Sequence, residues 1–160
     1  MATDPSPCPG VAEAAAAIAA GSLSPVELLR SCRARIDAVK AFRELPEAQS
    51  LASANKRIQN ILKKSGSGGG VSVELLGQDE ERRLHASLES LAPRVEQSLE
   101  RQDFAAALKD LAGIRDDVDA FFDKVLVNAE DEKVRANRLA LLTKLGLLMN
   151  RVADISKLAS

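Results

Sequence analysis

The sequence predicts an all-α protein, a bundle of five or six helices without a sheet, and three observations carry that expectation. Apolar residues fill 46% of the 160 positions, yet they are mostly Ala, Leu, Val and Ile, with aromatics at only 2% and neither Trp nor Tyr, a mixture that favours helices. Every long periodic segment repeats its apolar residues at three- and four-residue spacing. No segment shows the two-residue alternation of a half-buried strand. The length suits one ordinary domain with a substantial core, so a single helical domain is expected over residues 11–160, behind a disordered lead at 1–10.

The lead follows from Pro5, Pro7, Pro9 and Gly10, which prevent regular structure. Residues 11–20 form a short Ala-rich helix that Gly21 stops. Ser24, Pro25 and Glu27 then match an S-x-x-E capping box with proline at the first helical position, opening a helix that runs to about Phe42. Pro46 opens the next, in which Leu51, Ala54, Ile58, Ile61 and Leu62 share a stripe that ends near Ser65. The SGSGGG run at 65–70 reads as a mobile loop, because six Gly and Ser residues offer no side chain to anchor it. It is not a phosphate-cradling loop, since no Lys follows it in 71–76. Asp79 caps a helix carrying Leu84, Leu88, Leu91, Val95 and Leu99, with Pro93 able to bend it. Asp103 caps another, with Leu108, Leu111, Ile114, Val118, Phe121 and Val125 along one face. A turn at 128–131 leads into a last long helix with Leu141, Leu142, Leu145, Leu148, Val152 and Ile155, plus Leu139 and Met149 at other angles. Apolar residues on more than one face make that helix central.

The same residues exclude several functions. Cys8 and Cys32 form no ligand cluster, and the lone His85 has no partner at metal spacing. Asp116, Asp117, Asp119 and Asp123 point in different directions on a helix and read as a solvated acidic face. With no nucleophile–base pair, metal set or phosphate loop, no catalytic centre is expected in this chain. No stretch approaches the roughly 18 apolar residues of a membrane span. The opening residues carry Asp4 and three prolines instead of a basic signal region, so a cytoplasmic setting is expected.

Net charge is only -1, but it is unevenly spread: residues 1–64 carry 9 basic and 6 acidic side chains, 65–130 carry 7 and 14, and 131–160 carry 6 and 3. Such an order sets a positive surface beside a negative one. One helix shows where. If Leu51, Ile58 and Leu62 face the core, a 100° step puts Lys56, Arg57, Asn60, Lys63 and Lys64 on the outward arc with no carboxylate among them. Four cations within about two turns can meet consecutive phosphates of an RNA stem, while Asn60 can reach sugar or base edges. Arg135, Arg138 and Arg151 add charge from the last helix. An aromatic platform for splayed bases is not expected, as neither Phe42 nor Phe104 reads as exposed.

These residues resemble a known family. AFRELPEAQSLASANKRIQNILKKS, at 41–65, resembles the segment that opens the C-terminal domain of bacterial glycyl-tRNA synthetase β subunits, with its LPEA-x-x-LA-x-ANKRI-x-NIL pattern. VDAFFDKVLV, R-x-NRL-x-LL and RVADIS, at 118–127, 135–142 and 151–156, resemble later blocks of the same family in the same order. More distantly, the blocks resemble the DALR anticodon-binding domain of arginyl-tRNA synthetases, a helical bundle that grips the anticodon arm. The resemblance implies a tRNA-binding module of a glycine–tRNA ligase, with tRNA(Gly), the rest of the β subunit and the α subunit as partners, and neither DNA nor a membrane. It also implies that ATP and Mg serve the parent enzyme elsewhere, with no cofactor in this domain. Lys56, Arg57, Asn60, Arg135, Asn137 and Arg138 become the leading RNA-facing residues, while Phe121, Phe122 and Val125 build the core. A helical docking domain with little RNA contact is the alternative. Two departures stand out: Asn128 follows Val127 where the family usually has Met, and Gly146 replaces a usual Arg, removing a phosphate contact and weakening its helix by about 1 kcal/mol. Residues 11–39 also resemble the start of amidase-signature enzymes. Those need a Ser-Ser-Lys set in a much longer chain, so this segment reads as shared helical-hairpin patterning or a fused fragment, without activity.

Overall fold

The computed structural model describes residues 10–159, which are helical without a strand. Most of the expected lead, residues 1–9, lies outside them, as does Cys8. The helices are α1 (Val11–Ala19), α2 (Pro25–Arg43), α3 (Ala48–Ser65), α4 (Asp79–Glu100), α5 (Phe104–Ala112), α6 (Arg115–Lys124) and α7 (Glu132–Met149), with 3-10 turns at Val73–Leu75 and Ile155–Leu158. The stripe expected on one helix from 104 to 125 is carried by two, because the backbone breaks at Gly113 and Ile114 between α5 and α6. Similarly α7 ends at Met149, and Val152 and Ile155 reach the core from the segment beyond it.

Local chemistry explains the ends. Asp103 accepts a hydrogen bond from the Ala106 N–H at 3.0 Å, and Asp131 accepts from the N–H groups of Lys133 and Val134, so both cap as their residue type dictates. Ser24 precedes α2 with Pro25 at its first position, but its hydroxyl makes no capping bond, so the expected box there is not formed. The box forms instead at α4, where Gln78 and Glu81 satisfy each other's backbone N–H groups and Asp79 is the first helical residue. Gly21 and Gly66 end α1 and α3 with φ of 70° and 81°, the left-handed region open to glycine.

The core gathers Phe42, Leu51, Ile58, Leu84, Leu88, Leu108, Leu111, Phe121 and the leucines of α7 into one cluster, and α7 is buried around most of its circumference. At Gly146, α7 comes so close to α3 that an added Cβ would sit 3.2 Å from Ile58 Cγ2. That position faces α3 and not solvent, so the phosphate contact expected to be lost there has no place in this chain. The backbone approach is what the glycine provides.

The Gly/Ser segment also differs from expectation. Gly68 lies flush on α7: a Cβ there would fall 2.2 Å from the Ala140 nitrogen, and the Gly68 N–H donates to Thr143 Oγ1 at 3.1 Å. Just beyond, Asn137 clamps Ser72 at both backbone groups, accepting from its N–H at 2.7 Å and donating to its carbonyl at 3.0 Å. A segment without anchoring side chains is thus held through its backbone.

Candidate nucleic-acid interface

On α3 the stripe Leu51, Ala54 and Ile58 is buried, which turns Lys56, Arg57, Asn60, Lys63 and Lys64 outward, and all five are exposed. None of the four cations has a carboxylate within ion-pair distance among the described residues. Several cations elsewhere are answered: Arg82 by Asp79 at 2.6 Å, Arg94 by Asp110, Lys144 by Glu89, Lys124 by Glu80 at 3.4 Å and Arg151 by Glu96 at 2.6 Å. Lys144 and the backbone around Glu80 hold those two carboxyls below their ordinary range, Glu89 through a hydrogen bond from Lys144 and Glu80 chiefly through its own backbone N–H. Glu96 in turn raises the pKa of Arg151 above its ordinary value. On α3 four cations without an ion pair stand together within about two turns of one helix.

Beside this face lies a cleft of about 560 Å3 between the C-terminal half of α3, the end of α6 and the start of α7. Arg57, Ile61 and Lys64 line it from α3, and the same three residues also border a shallower depression of about 330 Å3 that holds Lys56 and Asn60. The Arg57 guanidinium lies over the Phe122 ring, 4.3 Å from its centroid, and that ring meets Phe121 edge-on at 5.6 Å and 79°. Phe121 and Val125 are buried in the core as expected, and Phe122, half-buried, packs against that core while also lining the cleft. Phe42 and Phe104 are buried, in keeping with the reading that neither offers a platform.

The other expected contacts divide. Arg135 is half-exposed on the cleft and donates from Nη1 to the Ala129 carbonyl at 3.0 Å. Asn137 and Arg138 are buried, at 4% and 7% exposure, and their polar atoms are engaged inside the protein. Arg138 donates from Nε and Nη2 to the two Glu81 oxygens at 2.8 and 3.3 Å and from Nη1 to the Leu126 carbonyl at 2.7 Å, while Glu81 is 0% exposed. Burying both charges is tolerable only because each is paired and hydrogen-bonded. The RNA-facing expectation for Asn137 and Arg138 therefore gives way to internal roles: one ties down the Gly/Ser segment, the other joins α4, α7 and the chain after α6.

The acidic residues of α6 are less free than a solvated face suggests. Asp119 accepts from the Ser50 hydroxyl at 2.7 Å and Arg115 Nε at 3.2 Å, and Asp117 accepts from the Ser87 hydroxyl. Asp116 and Asp123 are exposed, with Asp123 on the cleft. The His85 imidazole is largely buried, with Nδ1 4.0 Å from Glu89. Among the described residues no three His, Cys, Asp or Glu side chains are grouped to hold a metal, and no helix is long and apolar enough to cross a membrane.

Comparison with known proteins bears on this surface. Residues 51–155, which contain most of α3, the cleft and α7, match the family model described as DALR anticodon binding domain. The chain is 55% identical over 128 residues to the glycine–tRNA ligase beta subunit of Ralstonia nicotianae, covering 79% of this chain and 18% of that protein. It is 48% identical to the corresponding subunits of Delftia acidovorans and Methylobacillus flagellatus, over 82% and 84% of this chain and 19% of each of theirs. The chain thus spans about a fifth of the length of the curated relatives it matches. A family match over residues 51–155, an all-helical bundle and identity near one half over most of the chain to these subunits lead to one conclusion: the chain belongs to the DALR anticodon binding domain family.

Proposed function

We propose that the chain is the tRNA-binding module of a glycine–tRNA ligase β subunit, gripping the anticodon arm of tRNA(Gly) along α3. In this reading Lys56, Lys63 and Lys64 meet phosphates, Arg57 and Arg135 flank the cleft, and Asn60 reaches sugar or base edges. Asn137 and Arg138 hold the scaffold and touch no RNA. The observation that carries the reading is the clustering of four exposed cations without an ion pair on one face of α3, in a protein whose net charge is only -1. Arg82 of α4 and Lys144 of α7 are shared with neighbouring carboxylates, whereas the four cations of α3 stand together with none. ATP-dependent glycylation, with its Mg, belongs to the rest of the ligase, including the α subunit.

A second reading, docking onto the remainder of the synthetase, has its own support on α2. Val26, Leu29 and Ile36 fall on one flank of that helix and are exposed, Leu29 to 70%. The two readings use different faces. Titration with tRNA(Gly) at two salt concentrations separates them, because phosphate contacts release counterions and an apolar flank does not. Charge reversal in a K56E/K63E double variant, on two exposed positions, is expected to leave the melting curve unchanged and abolish measurable binding. A folded double variant that binds as well as the parent overturns the RNA reading in favour of docking.

A further inference from the structure

We infer that the outward face of α2 is a docking seam for an acidic amphipathic helix of a partner protein. The inference gives the apolar flank of α2 an occupant, and it stands independently of RNA binding along α3.

The first ground is the spacing. α2 packs on α5 and α3 with its other side, where Ala38 and Phe42 are buried. Facing outward, Val26, Leu29, Arg33, Ile36 and Lys40 follow one another at alternating three- and four-residue steps, the repeat by which one helix receives another. Val26 and Ile36 are each 55% exposed, so the described residues leave this seam uncovered. The stems of Arg33 and Lys40 continue the apolar surface while their charged ends stay in water. A single exposed leucine is ordinary, but three large aliphatic side chains on one seam mark an interaction surface.

The second ground is the charge beside the seam. Arg30, Arg33, Lys40 and Arg43 are exposed on this half of α2, against Asp37 and Glu44. Arg33 and Asp37 meet only at 3.9 Å, and among the described residues no carboxylate lies within ion-pair distance of Arg30, Lys40 or Arg43. Charges that flank an apolar seam select a partner by sign, and this seam selects carboxylates.

The same charges reject a second copy. Two α2 seams laid parallel set Arg33 against Arg33 and Lys40 against Lys40. Laid antiparallel about their middle, they set Arg33 against Arg33 again and Val26 against Lys40. Like charges in register disfavour both pairings. An RNA answers the cations but has no aliphatic stripe to cover Leu29 and Ile36, whereas a helix with leucines on its seam and glutamates beside it does both.

The test uses the 160-residue chain and two synthetic helices of about three heptads, both with Leu at the seam positions, one flanked by Glu and the other by Lys. Fluorescence anisotropy at one fixed salt concentration gives the two affinities. The expected result is roughly tenfold tighter binding of the Glu helix. L29D/I36D, two exposed substitutions, is expected to keep the melting curve of the parent and to lose about tenfold in affinity for the Glu helix. R33E/K40E reverses the order of the two peptides, which a merely structural effect would not do. Equal affinities in the parent, Glu-helix binding that survives L29D/I36D, or an order unchanged in R33E/K40E overturns the seam. Dimerisation of the chain that L29D/I36D abolishes assigns the face to a second copy, and binding to phosphatidylcholine–phosphatidylglycerol vesicles that the same variant abolishes assigns it to a membrane; either result overturns the partner helix. The parent is titrated with tRNA(Gly) alongside. If tRNA binds and the Glu helix does not, only this inference fails; if the Glu helix binds and tRNA does not, only the RNA reading fails.

Discussion

Replacing Arg138 by Met should destabilise the protein severely and leave its affinity for RNA unchanged in whatever remains folded. The guanidinium makes two bonds to Glu81, at 2.8 and 3.3 Å, and one to the Leu126 carbonyl at 2.7 Å, and Glu81 is wholly buried. Methionine fills much of the volume but strands the carboxylate without a counter-charge. Removing one partner of a buried pair typically costs about 3–5 kcal/mol, and a chain of this size loses roughly 2–4 °C of melting temperature per kcal/mol. A fall of roughly 6–20 °C is therefore expected. Glutamine at 81 removes the charge but retains an oxygen for the Gln78 N–H that Glu81 Oε2 now accepts at 2.9 Å. The E81Q/R138M double variant should accordingly be more stable than the sum of the single losses implies, since residues in one buried network couple. Urea unfolding of the four proteins measures the cycle, and the salt dependence of tRNA binding is read on each folded variant. A loss below about 1 kcal/mol in R138M, together with a salt slope reduced by about one unit, would refute the internal role and return Arg138 to the RNA surface.

Two further outcomes follow from the packing. G68A should lower stability by about 1–3 kcal/mol, because its Cβ would collide with the Ala140 backbone, whereas G69A, with nothing within 4 Å of the added carbon, should be nearly neutral; equal melting curves would show that the segment floats. For Asp154, burial pushes the carboxyl up, but hydrogen bonds from Ser156 and Gln59 and the charge of Lys157 outweigh it, so its pKa lies below the ordinary 3.8. A depressed carboxylate stabilises the fold fully above that ordinary value and ceases to do so as pH falls through its lowered one. The stability gap between parent and D154N should thus be widest near neutral pH and close below about pH 4, and a gap independent of pH would argue against it.

How far the sequence reaches can be judged from particular residues. The α3 stripe at 51, 54 and 58 placed Lys56, Arg57, Asn60, Lys63 and Lys64 outward by helical geometry alone, and the apolar residues all round α7 marked its central place. Asp103 caps as expected because a cap is a local event, although Ser24, read on the same ground, makes no capping bond. Arg138 was misread because its partner lies 57 residues away, and an arginine in a basic helix carries no local mark of burial. A signal was present in Gln78 and Glu81, which stand at capping-box spacing, although a box alone does not reveal the arginine behind it. Phe122 packs against the core as expected but stays half-buried, because it sits about 100° round α6 from Phe121, at the edge of the buried face. That spacing could have found the cleft wall. The tethering of the Gly/Ser segment was not legible, since it depends on backbone groups meeting α7.

The contact of Gly146 with Ile58 lies well along α7 from Arg135 and Leu139, where the same two helices open into the cleft. Two packed helices diverge by their crossing angle, starting from how closely they approach where they touch. The aperture of the cleft is in this sense gauged from behind, by the absence of a single methyl group on a surface no ligand visits. Sequence drift at position 146 and at position 58 is consequently bound together: bulk gained on one side has to be surrendered on the other, or the jaws change their span.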